Sequence, residues 1–248
     1  VTRPIVYLSG WHNTLGLVKS WFIKNGYELA DYAGGADYHV FGGHVIPPKM
    51  PNLPTLVLSS SDIYWSSDSV ASFSEDSDLI IPPTRDTKSL YTIRCAASEA
   101  SAFREAPRTL VLRTFNVYGQ DIHTGIIHGY LGDISAQQAV NVPLPGYQER
   151  TFLFQEDFIK FFSVFWSKFT EGLTGVYNVG HETPVNLHRA ADITWQRTTG
   201  GHTLAPVTLQ TLPFSIMWRV APDMTRTHAE TGYRATTSLS AGIWKMHG

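Results

Sequence analysis

The 248-residue chain contains one cysteine, Cys95. An internal disulfide is therefore excluded, and a reducing compartment, the cytoplasm or an organelle matrix, suits the chain. Charge is scarce as well. Charged residues make up 16%, the net charge is -2, and Lys and Arg nowhere cluster, so nucleic acid is not the expected partner. No apolar run approaches the roughly 20 residues that a membrane-spanning helix needs. Metal and hydrolase signatures are missing too. There is no HExxH, His123 and His128 stand five apart and off one helical face, and no nucleophile elbow occurs. No metal is expected. Repeats and low-complexity tracts are absent. The chain begins at Val1 rather than methionine, which leaves room for a targeting segment removed upstream.

What is present is a globular α/β pattern, with 43% apolar residues. Arg3 to Leu8 reads as a strand, and the segment after it carries Leu17, Trp21 and Phe22 on one helical face before Gly26. A second strand, Tyr27 to Ala30, ends at Asp31. An acid at this distance from Gly10 suits a dinucleotide, with pyrophosphate at the helix N-terminus and a ribose on the acid. The turn between them reads Gly10-Trp-His-Asn13-Thr-Leu-Gly16. Asn13 stands where a glycine would let the backbone approach phosphate, and Trp11 and His12 crowd the same space. Imperfect nucleotide binding and a packing turn without nucleotide both remain open.

The segment GGADYHVFGGHV suggests a strand reaching Gly42 and Gly43, and IPPKMPNLP, with four prolines, follows. That linker cannot be the usual crossover helix. Leu56 to Trp65 (LVLSSSDIYW) then reads as a buried strand ending in hydroxyls, and Ser89 to Ala100 as a helix carrying Tyr91. Ser60 and Tyr91 are a candidate proton-handling pair. Trp65 to Lys88, rich in Ser, Asp and Pro, reads as a surface loop able to cover a substrate. Later come a strand at Leu110 to Phe115, an extended Arg150 to Phe154, and a helix from Asp157 with a Phe158, Phe162, Phe165, Phe169 stripe. Such a stripe is read as core. A strand at Val176 to Val179 and a helix at Leu187 to Arg197 complete the pattern.

SSSDIY, the helical tyrosine, LVLRTFNVYG, RTFLFQEDF and GVYNVG occur in the order found in one family. The chain resembles the extended short-chain dehydrogenase/reductases, the NAD-dependent nucleotide-sugar epimerase/dehydratase group, as a divergent and shortened member. The resemblance implies a Rossmann-like α/β fold with a mostly parallel sheet and a smaller substrate lobe. The nucleotide domain would be 1–119 plus 151–180, abbreviated around 32–55, and the lobe 120–150 plus 181–248. It implies NAD, or NADP, over Gly10, Asn13, Gly16, Asp31 and Gly42. Ser60 and Tyr91 would be catalytic, and Asn116, Arg150 and Arg226 would hold a nucleotide-sugar diphosphate. A homodimer or a larger assembly would be the quaternary partner.

In the family a lysine four residues after the tyrosine supplies the charge that lowers the phenol pKa. Cys95 occupies that position and carries no positive charge in either state. Lys88 and Arg94, three residues either side of Tyr91, are the nearest substitutes in sequence. Two readings follow: an enzyme acting on a nucleotide sugar, or a catalytically impaired pseudoenzyme serving as a structural or accessory subunit.

Overall fold

A computed structural model describes residues 3–46, 49–64, 72–79, 87–211 and 218–247. The loop expected to cover a substrate falls largely outside them. The first elements are β1 (Val6–Trp11), α1 (Leu15–Lys24), β2 (Leu29–Ala30), β3 (Tyr38–Gly43), β4 (Thr55–Ser60), α2 (Thr87–Glu105) and β5 (Thr109–Thr114). There follow β6 (Val117–Tyr118), α3 (Ile126–Ser135), β7 (Val140–Pro143), β8 (Glu149–Arg150), β9 (Leu153–Phe154), α4 (Gln155–Thr170) and β10 (Gly175–Val179). The chain ends with β11 (Val185–Asn186), α5 (Leu187–Thr199), β12 (Val207–Gln210), β13 (Arg219–Val220), α6 (Thr225–Thr231) and α7 (Leu239–His247).

The main sheet runs β10-β5-β4-β3-β1-β2, every pair parallel. This is a Rossmann-like order, with β2 as its edge. Alternation decides the two faces. Val6, Val40, Leu56, Leu58, Leu110 and Leu112 point to one side, against α1 and α4, in a single buried cluster. All four expected stripe residues (Phe158, Phe162, Phe165 and Phe169) are fully buried there. The helix starts two residues earlier than the sequence suggests, at Gln155, so that Asp157 falls in its first turn. There Asp157 accepts hydrogen bonds from Tyr233 Oη (2.6 Å) and Thr237 N (2.8 Å).

On the other face α2 covers β4 and β5. Its buried centre is Arg113, whose Nη2 lies 2.7 Å and Nε 3.1 Å from the two carboxylate oxygens of Glu99. Ser59 Oγ donates to the same carboxylate at 2.6 Å. Beside this, among the described residues no helix lies over β1 on this face, the β2–β3 connection containing only a short 3-10 turn at Ala33–Gly35, and β3 meets α2 only through Phe41 and Gly43, beside Ala102 and Ser98. The β3–β4 connection is tied to α2 instead, with Met50 N donating to Glu105 (2.8 Å) and Ser98 Oγ to Val45 O (2.6 Å). Tyr7, Ser9, His39 and Phe41 therefore face an open groove of about 1040 Å³. Both connections are short, and the strands still pair in parallel.

A second buried cluster gathers Tyr118, Ile127, Tyr130, Phe152, Leu187 and Ile243 from α3, α5, α7 and the short strands between them. It closes over the carboxyl ends of β4 and β5.

Candidate active site

β4 delivers Ser59, Ser60 and Ser61 to its carboxyl end, and β5 ends alongside at Thr114. α2 starts after the serines and brings Tyr91 back over them. Ser60, Ser61, Thr114 and Tyr91, with Asp62, Asn116, Tyr118 and Phe152, line a cavity of about 260 Å³, and Ser59 lies behind it on Glu99. Its remaining wall is Trp11, His12, Asn13 and His44 on one side and Thr124 to Ile127 on the other. The last of these is the N-terminus of α3. Gly125 there has φ +91 and no side-chain cap covers the end, so its backbone N–H groups and dipole suit an anion.

Tyr91 is the centre of the site. Its Oη lies 2.5 Å from His44 Nε2, and the two rings meet edge to face at 4.5 Å. Burial, followed by the nearby Cys95 and Asp62, pushes the Tyr91 phenol well above its usual value, while a hydrogen bond from Ser60 opposes this. Cys95 is fully buried and its thiol is also pushed up by burial, so the position that would carry a charge is neutral. Arg94 points to solvent. Burial holds His44 down at about 3, so it too is neutral. Among the described side chains no cation stands against the phenol.

His12 continues the column of rings. Its centroid is 4.1 Å from that of His44, and the Trp11 ring is 5.1 Å from His44 on another side. Thr14 N donates to His12 Nδ1 at 3.1 Å, which places the ring proton on Nε2 and directs it to Ser59 O at 3.2 Å. Desolvation, then His44, holds His12 well below its ordinary pKa.

The expected site residues divide. Ser60, Tyr91, Asn13 and Asn116 line the cavity. Ser60 Oγ accepts from Asp62 N at 3.2 Å, and Asn116, at φ +37, donates from Nδ2 to Thr151 O at 3.0 Å. Gly10 and Gly42 do not line it. β1 runs through Gly10 to Trp11 and pairs Gly10 with Gly42. A Cβ on Gly10 would lie 2.4 Å from Gly42 O, and one on Gly42 2.5 Å from the Trp11 carbonyl carbon. These glycines thus let two strands approach each other. Gly16 faces open space beside α4, and Asp31 is exposed at the carboxyl end of β2.

Arg150 is buried on β8, donates to Glu149 O at 2.7 Å, and is held down at about 10, chiefly by desolvation, with Asp62 opposing. It is not among the residues that line the cavity. Arg226 is outside, paired with Asp76 at 2.5 Å. Sequence reasoning missed His44, Thr114 and the α3 N-terminus. Only the α3 end left a signal, in Gly125.

The dinucleotide implied by the fold would run from the Gly10–Gly16 turn toward Tyr91. The side chains there do not fit it: the rings of His12, His44 and Tyr91 fill the corner between turn and tyrosine at centroid spacings of 4.1 Å and 4.5 Å.

A family model described as the NAD dependent epimerase/dehydratase family matches residues 51–180. No curated protein sequence matches the chain. Solved structures do. A UDP-galactose 4-epimerase superposes with a TM-score of 0.73 at 18% identity over 98% of this chain and 96% of that one. The Bordetella bronchiseptica enzyme WbmG, in complex with NAD and UDP, gives 0.77 at 17% identity over 100% and 94%. A dTDP-glucose 4,6-dehydratase from Bacillus anthracis str. Ames, in complex with NAD, gives 0.74 at 12% over 98% and 94%. At such identities the likeness speaks for the fold.

Proposed function

The chain belongs to the NAD dependent epimerase/dehydratase family, and from that premise we propose that it binds and acts on a nucleoside-diphosphate sugar in the cavity beneath Tyr91. The observation that carries this reading is convergence. The hydroxyls of Ser60, Ser61 and Tyr91, the Asn116 amide and the uncapped α3 N-terminus all line one cavity at the carboxyl ends of β4 and β5. Donors and acceptors of this kind suit a sugar ring, and a helix N-terminus suits a diphosphate. Two solved relatives, in complex with UDP-glucose and NAD and with NAD and UDP, support the ligand class.

Asp31 favours a second, redox version. It stands exposed beyond β2, where a dinucleotide ribose would take it, with NAD rather than NADP as the better match for an acid. That version requires the His12 and His44 rings to turn away.

Calorimetric titration with UDP-, dTDP- and GDP-sugars tests the reading, which expects at least one to bind. Proton NMR of the bound sugar, with and without added NAD, then separates turnover from holding. A bound but unchanged sugar would leave an accessory, non-catalytic family member. Failure of every sugar nucleotide to bind at millimolar concentration would contradict the proposal.

A further inference from the structure

We propose that the Gly10–Gly16 turn is a wall of the sugar pocket in this chain, so that the cleft takes a sugar nucleotide with no dinucleotide beside it. This rests on the sugar-nucleotide reading above and adds to it what lies next to the sugar.

The first support is steric. From the turn to Tyr91 the rings of His12, His44 and Tyr91 follow at centroid spacings of 4.1 Å and 4.5 Å. Inserting another flat ring needs two contact gaps of about 3.5 Å, roughly 7 Å in all. The column leaves no such slot. His12 cannot swing out cheaply, since both ring nitrogens are engaged, with Thr14 and with Ser59 O. The cavity of about 260 Å³ is below the range of about 300–1,000 Å³ typical of drug-sized ligands. It has room for the sugar but not for a nicotinamide beside it, and the nucleoside of the ligand would lie outside it.

The second support is chemical. Asn13 lines the cavity with an unsatisfied Oδ1. A small turn of this amide offers the acceptor to a ligand hydroxyl. Trp11 is 51% exposed on the same wall, and an indole face packs against the C–H face of a sugar ring. Tyr91, bonded to the neutral His44, is set to share hydrogen bonds with hydroxyls.

The test is calorimetry on the whole chain with UDP, UDP-glucose and NADH as probes, extended to the dTDP and GDP pairs. Wild type should bind the sugar nucleotide about tenfold or more tightly than the free nucleoside diphosphate and give no heat with millimolar NADH. Trp11→Ala, at an exposed position, should lose most of that sugar-dependent gain, about tenfold, while the free nucleoside diphosphate binds unchanged. His12→Gly with His44→Ala, once shown folded by circular dichroism, should gain NADH binding. Micromolar NADH binding by wild type overturns the inference. So does a Trp11→Ala variant that keeps the full sugar gain, or a folded double variant that still refuses NADH. Failure of all the nucleoside diphosphates and their sugars instead removes the reading on which the inference rests, and the inference with it.

Discussion

Tyr91 Oη and His44 Nε2 stand 2.5 Å apart, and among the described side chains, which do not include that of Lys88, no cation lies against this phenol. A neutral imidazole orients the hydroxyl without lowering its pKa. The Cys95 thiol, buried four residues on, adds no charge either.

The first prediction concerns this phenol. Burial raises its pKa well above the ordinary value of about 10, so Tyr91 stays protonated throughout the physiological range. Ultraviolet difference titration of wild type against Tyr91→Phe should show no phenolate below about pH 10. A phenolate forming near neutrality would reveal a hidden cation. Cys95→Lys alone should create no turnover, because the rings beside Tyr91 remain in place.

Acid stability follows from the buried histidines. His39 is held at about 4 and His44 at about 3, both mainly by desolvation. Groups with a depressed folded pKa contribute stability above their unfolded value of about 6.5 and lose it as pH falls toward the folded value. Each should therefore cost about 2 kcal/mol at pH 5 relative to pH 8. Urea unfolding at the two pH values measures this. A stability unchanged between them would mean that the rings are already solvated.

Glu99→Gln should destabilise strongly. The Arg113 guanidinium is 5% exposed and its carboxylate partner 6%, so removing one charge strands the other, at about 3–5 kcal/mol. Replacing both by apolar residues of similar volume should cost less than the sum of the single changes. Denaturant midpoints of the two single variants and the double variant form the check.

Phe162→Ala probes the opposite face. Its ring is fully buried and meets Trp21 and Phe22 edge to face at 5.3 Å and 5.6 Å. The cavity left behind should cost about 3–5 kcal/mol, with sugar-nucleotide affinity retained because α4 does not line the site. A loss of only a few tenths would show that the stripe is not core.

Where one chemical pattern decides the outcome, the sequence is legible. The Phe158–Phe169 stripe and the apolar runs of β4 and β5 impose local structure, and each folds as read. Ser60, Tyr91 and Asn116 follow, because strand ends and a helix face carry them to one place. For Gly10 and Gly42 sequence could not show the close approach of two backbones that the β1–β3 register makes. His44 left no signal, since a histidine after two glycines gains its meaning from Tyr91, 47 residues away. Arg226 is drawn off by Asp76, a pairing made across 150 residues that spacing cannot reveal.

The most direct measurement is a crystal structure grown with both NAD and the tightest-binding sugar nucleotide. The account predicts sugar density between Trp11 and Tyr91, diphosphate at Gly125–Ile127, and the His12–His44 column in place. A nicotinamide lying against Tyr91, with those rings turned aside, would contradict it.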